Sequence, residues 1–146
     1  MNNNEVISTL NGLVETCRRG QEGFRSAAES IRNSEFRRLF NIFAQQRGQF
    51  ITELQAEIHR LGGEGRGTTA ASAPDNAIPF RLPGAAEFRD EATLTAECQR
   101  DEEAAVNDYQ EALKADLPLD VQYVVKRQYM DIKDAYDRIR ILQRAA

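Results

Sequence analysis

The sequence predicts an all-α fold: an antiparallel four-helix bundle of two helical hairpins joined by one long crossover. Three observations point there. Apolar residues recur at three- and four-residue steps over four long stretches. Two of the breaks between those stretches are short, and the third, 62–85, is long and rich in Gly and Pro. Each apolar stripe also carries one polar residue near its middle.

The first stretch predicts a helix over about 4–31, with Val6, Leu10, Leu13, Cys17, Phe24, Ala28 and Ile31 on one face. The run Asn2 to Asn4 supplies capping side chains. Gly20 and Gly23 are costly in a helix interior, about 1 kcal/mol each against Ala. They imply close approach of a neighbouring helix, or a small-ligand pocket beside them. Gln21, between them, is assigned to the inward stripe.

Asn33-Ser34 breaks the chain, and a second helix is predicted over about 35–61. Its stripe is Phe36, Leu39, Phe40, Phe43, Phe50, Leu54, Ile58 and Leu61, and Arg47 fills the gap between Phe43 and Phe50. So short a break makes the two helices an antiparallel hairpin. Gly62-Gly63 is a left-handed stop. The crossover that follows is long enough to span a helix of about 40 Å. Its apolar residues Ile78, Phe80 and Leu82 are candidate anchors onto the bundle.

A third helix is predicted over about 86–115, with Phe88, Cys98, Val106, Tyr109 and Leu113 on its stripe and Glu102 among them. Asp116-Leu117-Pro118 stops and restarts the chain. A fourth helix is predicted over about 119–144, with Val121, Val124, Val125, Ile132, Ala135, Ile139 and Leu142 inward and Gln128 within the stripe. The chain, 1–146, reads as one domain.

Counting residues from each turn puts Gln21, Arg47, Glu102 and Gln128 at one depth. A carboxylate in an apolar stripe needs a partner. The simplest layer is an Arg47–Glu102 ion pair with the two glutamines taking the remaining donor and acceptor positions.

Composition excludes other classes. The net charge is −4, with basic and acidic residues interleaved, so no basic block points to nucleic acid. No apolar run approaches a membrane span, and the N-terminus lacks a signal-peptide pattern. Cys17 and Cys98 lie on apolar faces without CxxC spacing, which suits buried reduced thiols and a cytoplasmic location. The single histidine, His59, falls off the apolar stripe and reads as a surface residue.

Gly20-Gln21-Glu22-Gly23-Phe24-Arg25, Ala44-Gln45-Gln46-Arg47-Gly48-Gln49-Phe50 and Glu53 through Gly63 make a fairly specific set with 97–113 and 116–140. With them the chain resembles an uncharacterised bacterial family of ferritin-like four-helix proteins. The resemblance implies a ferritin-like bundle, whose members commonly self-associate. Ferritin-like enzymes hold two metals with a Glu from two helices and Glu-x-x-His from the others. This chain has no Glu-x-x-His. It carries Gln21 where the family pattern often has Glu, and Tyr136 where it often has His.

Two functional readings follow. The first is a non-catalytic bundle with no cofactor, acting by self-association or through an unknown protein partner; fold analogy suggests a bacterial stress setting. A sparse apolar line on the fourth helix, Tyr123, Met130 and Ile141, is its candidate interface, and a homodimer its expected form. The alternative is a di-metal carboxylate protein binding or oxidising iron or manganese, with Glu53, Glu57, Glu102 and Gln128 recruited as ligands.

Overall fold

The computed structural model describes residues 2–63 and 90–145. These form four helices, α1 (Asn3–Ser30), α2 (Ser34–Arg60), α3 (Glu91–Lys114) and α4 (Leu119–Ala145). The expected anchors Ile78, Phe80 and Leu82, the stripe residue Phe88 and most of the 62–85 crossover lie outside the described residues.

Helices begin where a side chain can accept the free N–H groups of the first turn. Asn2 and Glu5 form a reciprocal capping box on α1. The Asn33 carboxamide accepts from Glu35 and Phe36 at the start of α2. The start expected at 86 for the third helix is corrected to Glu91. Asp90 is the N-cap, in extended backbone, and its carboxylate accepts from the Thr93 N–H at 2.7 Å. At the other end of α2, Gly62 has φ 91° and ends the helix in the conformation glycine favours.

Two links at opposite ends fix the directions. The Glu91 carboxylate accepts from the backbone N–H groups of Arg32 and Asn33, tying the start of α3 to the α1–α2 turn. Arg60 meets Asp120 at 2.7 Å, tying the end of α2 to the start of α4. Gly63 and Asp90 therefore lie at opposite ends of the bundle. Neighbouring helices, α1 with α2 and α3, and α4 with α3 and α2, run antiparallel. The pairs α2/α3 and α1/α4 stand across the diagonals.

The core divides into two apolar halves. One contains Val6, Leu10, Leu13, Phe50, Leu54, Ile58, Val121 and Val125, near the α2 C-terminus. The other contains Phe24, Ile31, Phe36, Phe40, Phe43, Leu94 and Ile139, near the α1–α2 turn. Between the two halves α1 presents Gly20, α2 presents Arg47 and α3 presents Glu102.

Gly12, on the exposed side of α1, has nothing within 4 Å of where a Cβ would stand, so its only effect is conformational freedom. Gly12→Ala should raise stability by about 0.5–1 kcal/mol in chemical denaturation, without changing the helical circular dichroism of the native state.

Candidate functional site

Arg47 is fully buried and Glu102 is 1% exposed. The Arg47 Nη1 donates to Glu102 Oε1 at 2.8 Å, and Nη2 donates to Oε2. The pair is bidentate and crosses the α2/α3 diagonal. Arg47 Nε is buried too and has no hydrogen-bond partner among the described residues. Burial pushes the guanidinium pKa down, but the hydrogen bonds and charge of Glu102 outweigh it and hold the pKa above the ordinary value.

The surroundings are shaped to this pair. The guanidinium carbon lies 5.3 Å from the centroid of the Phe24 ring, a cation–π contact in the dry interior. Phe24 in turn stacks on Phe40 at 5.7 Å. A Cβ at Gly20 would stand 3.0 Å from Arg47 Nη1. The glycine therefore admits a side chain of the neighbouring helix α2. On the α3 side of Gly20, where a small-ligand pocket is expected, a cavity of about 140 Å³ is lined by Thr16, Arg19, Asp101 and Asp108 among others. A Cβ at Gly23 would stand 3.8 Å from the Asp101 carboxylate.

Gln128 is also fully buried, but in a separate tier nearer the α2 C-terminus. Its Nε2 donates to the Phe50 carbonyl at 3.3 Å and to Glu53 Oε1 at 2.9 Å. Those acceptors fix the amide orientation, so Oε1 accepts from the Tyr109 hydroxyl at 2.7 Å. With its proton so committed, the Tyr109 oxygen accepts from the Cys17 thiol at 3.1 Å. The tier is a directed chain, Cys17 to Tyr109 to Gln128 to Glu53, ended by Arg127 on Glu53 at 2.8 Å.

Gln21 is a correction. It is half-buried in the α1–α2 groove, with its Nε2 only 2.7 Å from where Gly48 would carry a Cβ. At about 100° per residue it sits about 40° from Cys17, enough to turn it out of the core. Cys17 is the α1 member of the polar interior instead. The sequence does hold a signal for this: a buried Tyr hydroxyl normally finds a partner, and Tyr109 stands on the same predicted stripe as Glu102.

The resemblance implies a pair of iron or manganese ions, and the residues here do not fit one. Glu102 is held by Arg47, Glu53 by Arg127 and Glu57 by Arg60. The one oxygen of the Gln128 side chain accepts from Tyr109. A guanidinium on every candidate carboxylate opposes a cation, and divalent ions need several free anionic oxygens or imidazoles. Among the described residues no group of three or more His, Cys, Asp or Glu is placed to hold a metal. His59 is exposed. The proposed ligand set Glu53, Glu57, Glu102 and Gln128 is thereby corrected to four residues serving internal partners.

On the outer face of α4, Tyr123 is 69%, Met130 62% and Ile141 63% exposed. Among the described residues no helix is long and apolar enough to cross a membrane.

Residues 5–115 match the family model described as Domain of unknown function (DUF2383). No curated protein matches the chain in sequence. Among solved structures it is similar to a two-domain protein from Anabaena variabilis containing DJ-1/ThiJ/PfpI-like and ferritin-like domains. The TM-score is 0.79 at 16% identity, over 99% of this chain and 37% of that one. That likeness shows a ferritin-like fold, and this chain spans little more than a third of that protein.

Two outcomes follow from the geometry. Arg47→Met should cost about 3–5 kcal/mol in urea unfolding, because Glu102 is left charged and dry, and adding Glu102→Leu should recover most of that loss. Simple additivity would show that the pair is not coupled.

Burial raises the Cys17 thiol from 9.0 to about 11 and the Cys98 thiol to about 12. The folded state therefore keeps protons that the unfolded state releases. The thiol contribution is complete below pH 9.0 and fades as pH climbs toward those folded values. Thermal midpoints should fall through that window, and less steeply in Cys98→Ala. Neither thiol should react with a disulfide reagent at about pH 8 until denaturant is added.

Proposed function

The chain belongs to the DUF2383 family, a domain of unknown function, and from that premise we propose that this ferritin-like bundle is a non-catalytic module that works by association. Its expected form is a homodimer, with a protein partner as the wider case, and the outer face of α4 is the contact surface. The observation that carries the reading is the Arg47–Glu102 pair: a guanidinium occupies the level at which ferritin-like enzymes gather anionic ligands.

With the interior charges matched internally, the described residues at the bundle centre offer no free acid, base or nucleophile. Both thiols are held protonated by burial, and they suit a reducing, cytoplasmic compartment. What the molecule offers outward is unevenly distributed. Of five exposed large hydrophobic residues among those described, four, Leu119, Tyr123, Met130 and Ile141, are on α4. Single exposed apolar residues are ordinary, whereas several along one helix face are the kind of surface that pairs. The Anabaena protein, in which a ferritin-like domain is joined to a DJ-1/ThiJ/PfpI-like domain, accords with a bundle used alongside another protein unit.

Light scattering across a concentration series should give a dimer, and Tyr123→Glu with Met130→Glu should yield a monomer of unchanged helicity. A monomer at high concentration for the unaltered protein would remove the association reading. After loading with ferrous iron or manganese and desalting, the protein should retain well under one metal per chain; a stoichiometric pair of metals would overturn the non-catalytic reading.

A further inference from the structure

We infer that α4 pairs with α4 of a second copy in antiparallel orientation, about a two-fold axis passing level with the Asp131–Ile132 peptide. The inference rests on the association proposed above and adds its geometry. The order of charges on the exposed face sets this orientation. Lys126 and Asp137 lie equally far on either side of that level, as do Met130 and Lys133. Tyr123 and Ile141 are displaced from it by nearly the same amount. At about 100° per residue, all six fall within one side of the helix.

An antiparallel pair about this axis sets Lys126 against Asp137 of the second copy, and Asp137 against its Lys126. Both contacts are generated by one symmetry operation, as an isologous interface requires. Met130 lies against the aliphatic stem of Lys133, and Tyr123 lies beside Ile141, closing each end with an apolar contact. A parallel pair in register would instead stack Lys126 on Lys126 and Lys133 on Lys133. The Asp137 and Lys133 side chains are each about half exposed, with a 3.5 Å contact along their own helix that leaves both accessible. Exposed ion pairs contribute little strength, so their role is to select orientation and register while the apolar residues supply the affinity.

Sedimentation equilibrium of the full chain and its variants tests this. Lys126→Asp alone and Asp137→Lys alone should each weaken self-association on the order of ten-fold, because each sets like charges opposite one another twice per dimer. The double variant should recover the unaltered affinity. An equimolar mixture of the two single variants should form a mixed dimer that neither forms alone. Dimers indifferent to these reversals, yet dissociated by Met130→Glu, would keep the α4 surface and overturn the antiparallel arrangement. An unaltered protein that stays monomeric would overturn the association reading itself.

Discussion

The Arg47–Glu102 pair ties together two helices that are not neighbours around the bundle. α2 and α3 stand across a diagonal, and the bidentate bond spans it through the centre. Much of the nearby sequence answers to that one bond. Gly20 lacks a side chain because Nη1 occupies the space, and Phe24 places its ring beside the guanidinium. The apolar core is interrupted at this level and resumes on either side. A buried pair of this kind adds little net stability compared with apolar residues of similar volume. Its value lies in register: sliding either helix by a turn would leave a full charge without its partner, in a place water does not reach.

The second tier works by direction instead of charge. Gln128 has one amide end for donors and one for acceptors, and both are used. Once Glu53 and Phe50 claim the N–H groups, the orientation of every proton back to Cys17 follows. All four helices contribute to this chain, since Cys17, Phe50 with Glu53, Tyr109 and Gln128 come one from each. The two tiers together constrain rotation as well as translation of the helices, which an all-apolar interior of interchangeable side chains would do less sharply.

How far this can be read from the sequence depends on where each residue sits in its stripe. Arg47 lies between Phe43 and Phe50 and Glu102 between Cys98 and Val106, so helical spacing leaves them no direction but inward. Gln21 misleads because it sits at the stripe's edge, where a turn of about 40° separates core from groove. Cys17 and Tyr109 count as apolar by type, which hides their polar ends. Tyr109 in particular buries a ring and a hydroxyl together, and only the second reveals the Gln128 tier. The α3 start comes too early in the sequence reading because the apolar Phe88 outweighs the capping pattern of Asp90 and Thr93. Directions of the helices follow from turn lengths alone, since a short link forces an antiparallel pair and a long one permits a parallel diagonal.

An interior whose charges are matched moves the functional question outward. In ferritin-like enzymes the inward carboxylates are left for metals to complete. Here the corresponding residues are completed by arginine, tyrosine and glutamine, and among the described residues the same four-helix geometry keeps no unsatisfied carboxylate at its centre. The outer face of α4 is free of that constraint: Val121, Val125, Gln128, Ile132 and Ile139 anchor the helix from within, so its exposed residues can be set by what they meet. Placing Lys and Asp symmetrically about the helix midpoint, with apolar residues between and beyond them, gives a surface complementary to its own reverse. Helix direction, which the bundle fixes for its internal neighbours through buried hydrogen bonds, would at this face be fixed by exposed charge, where reversal of a single residue is tolerated by the fold and felt only by the partner.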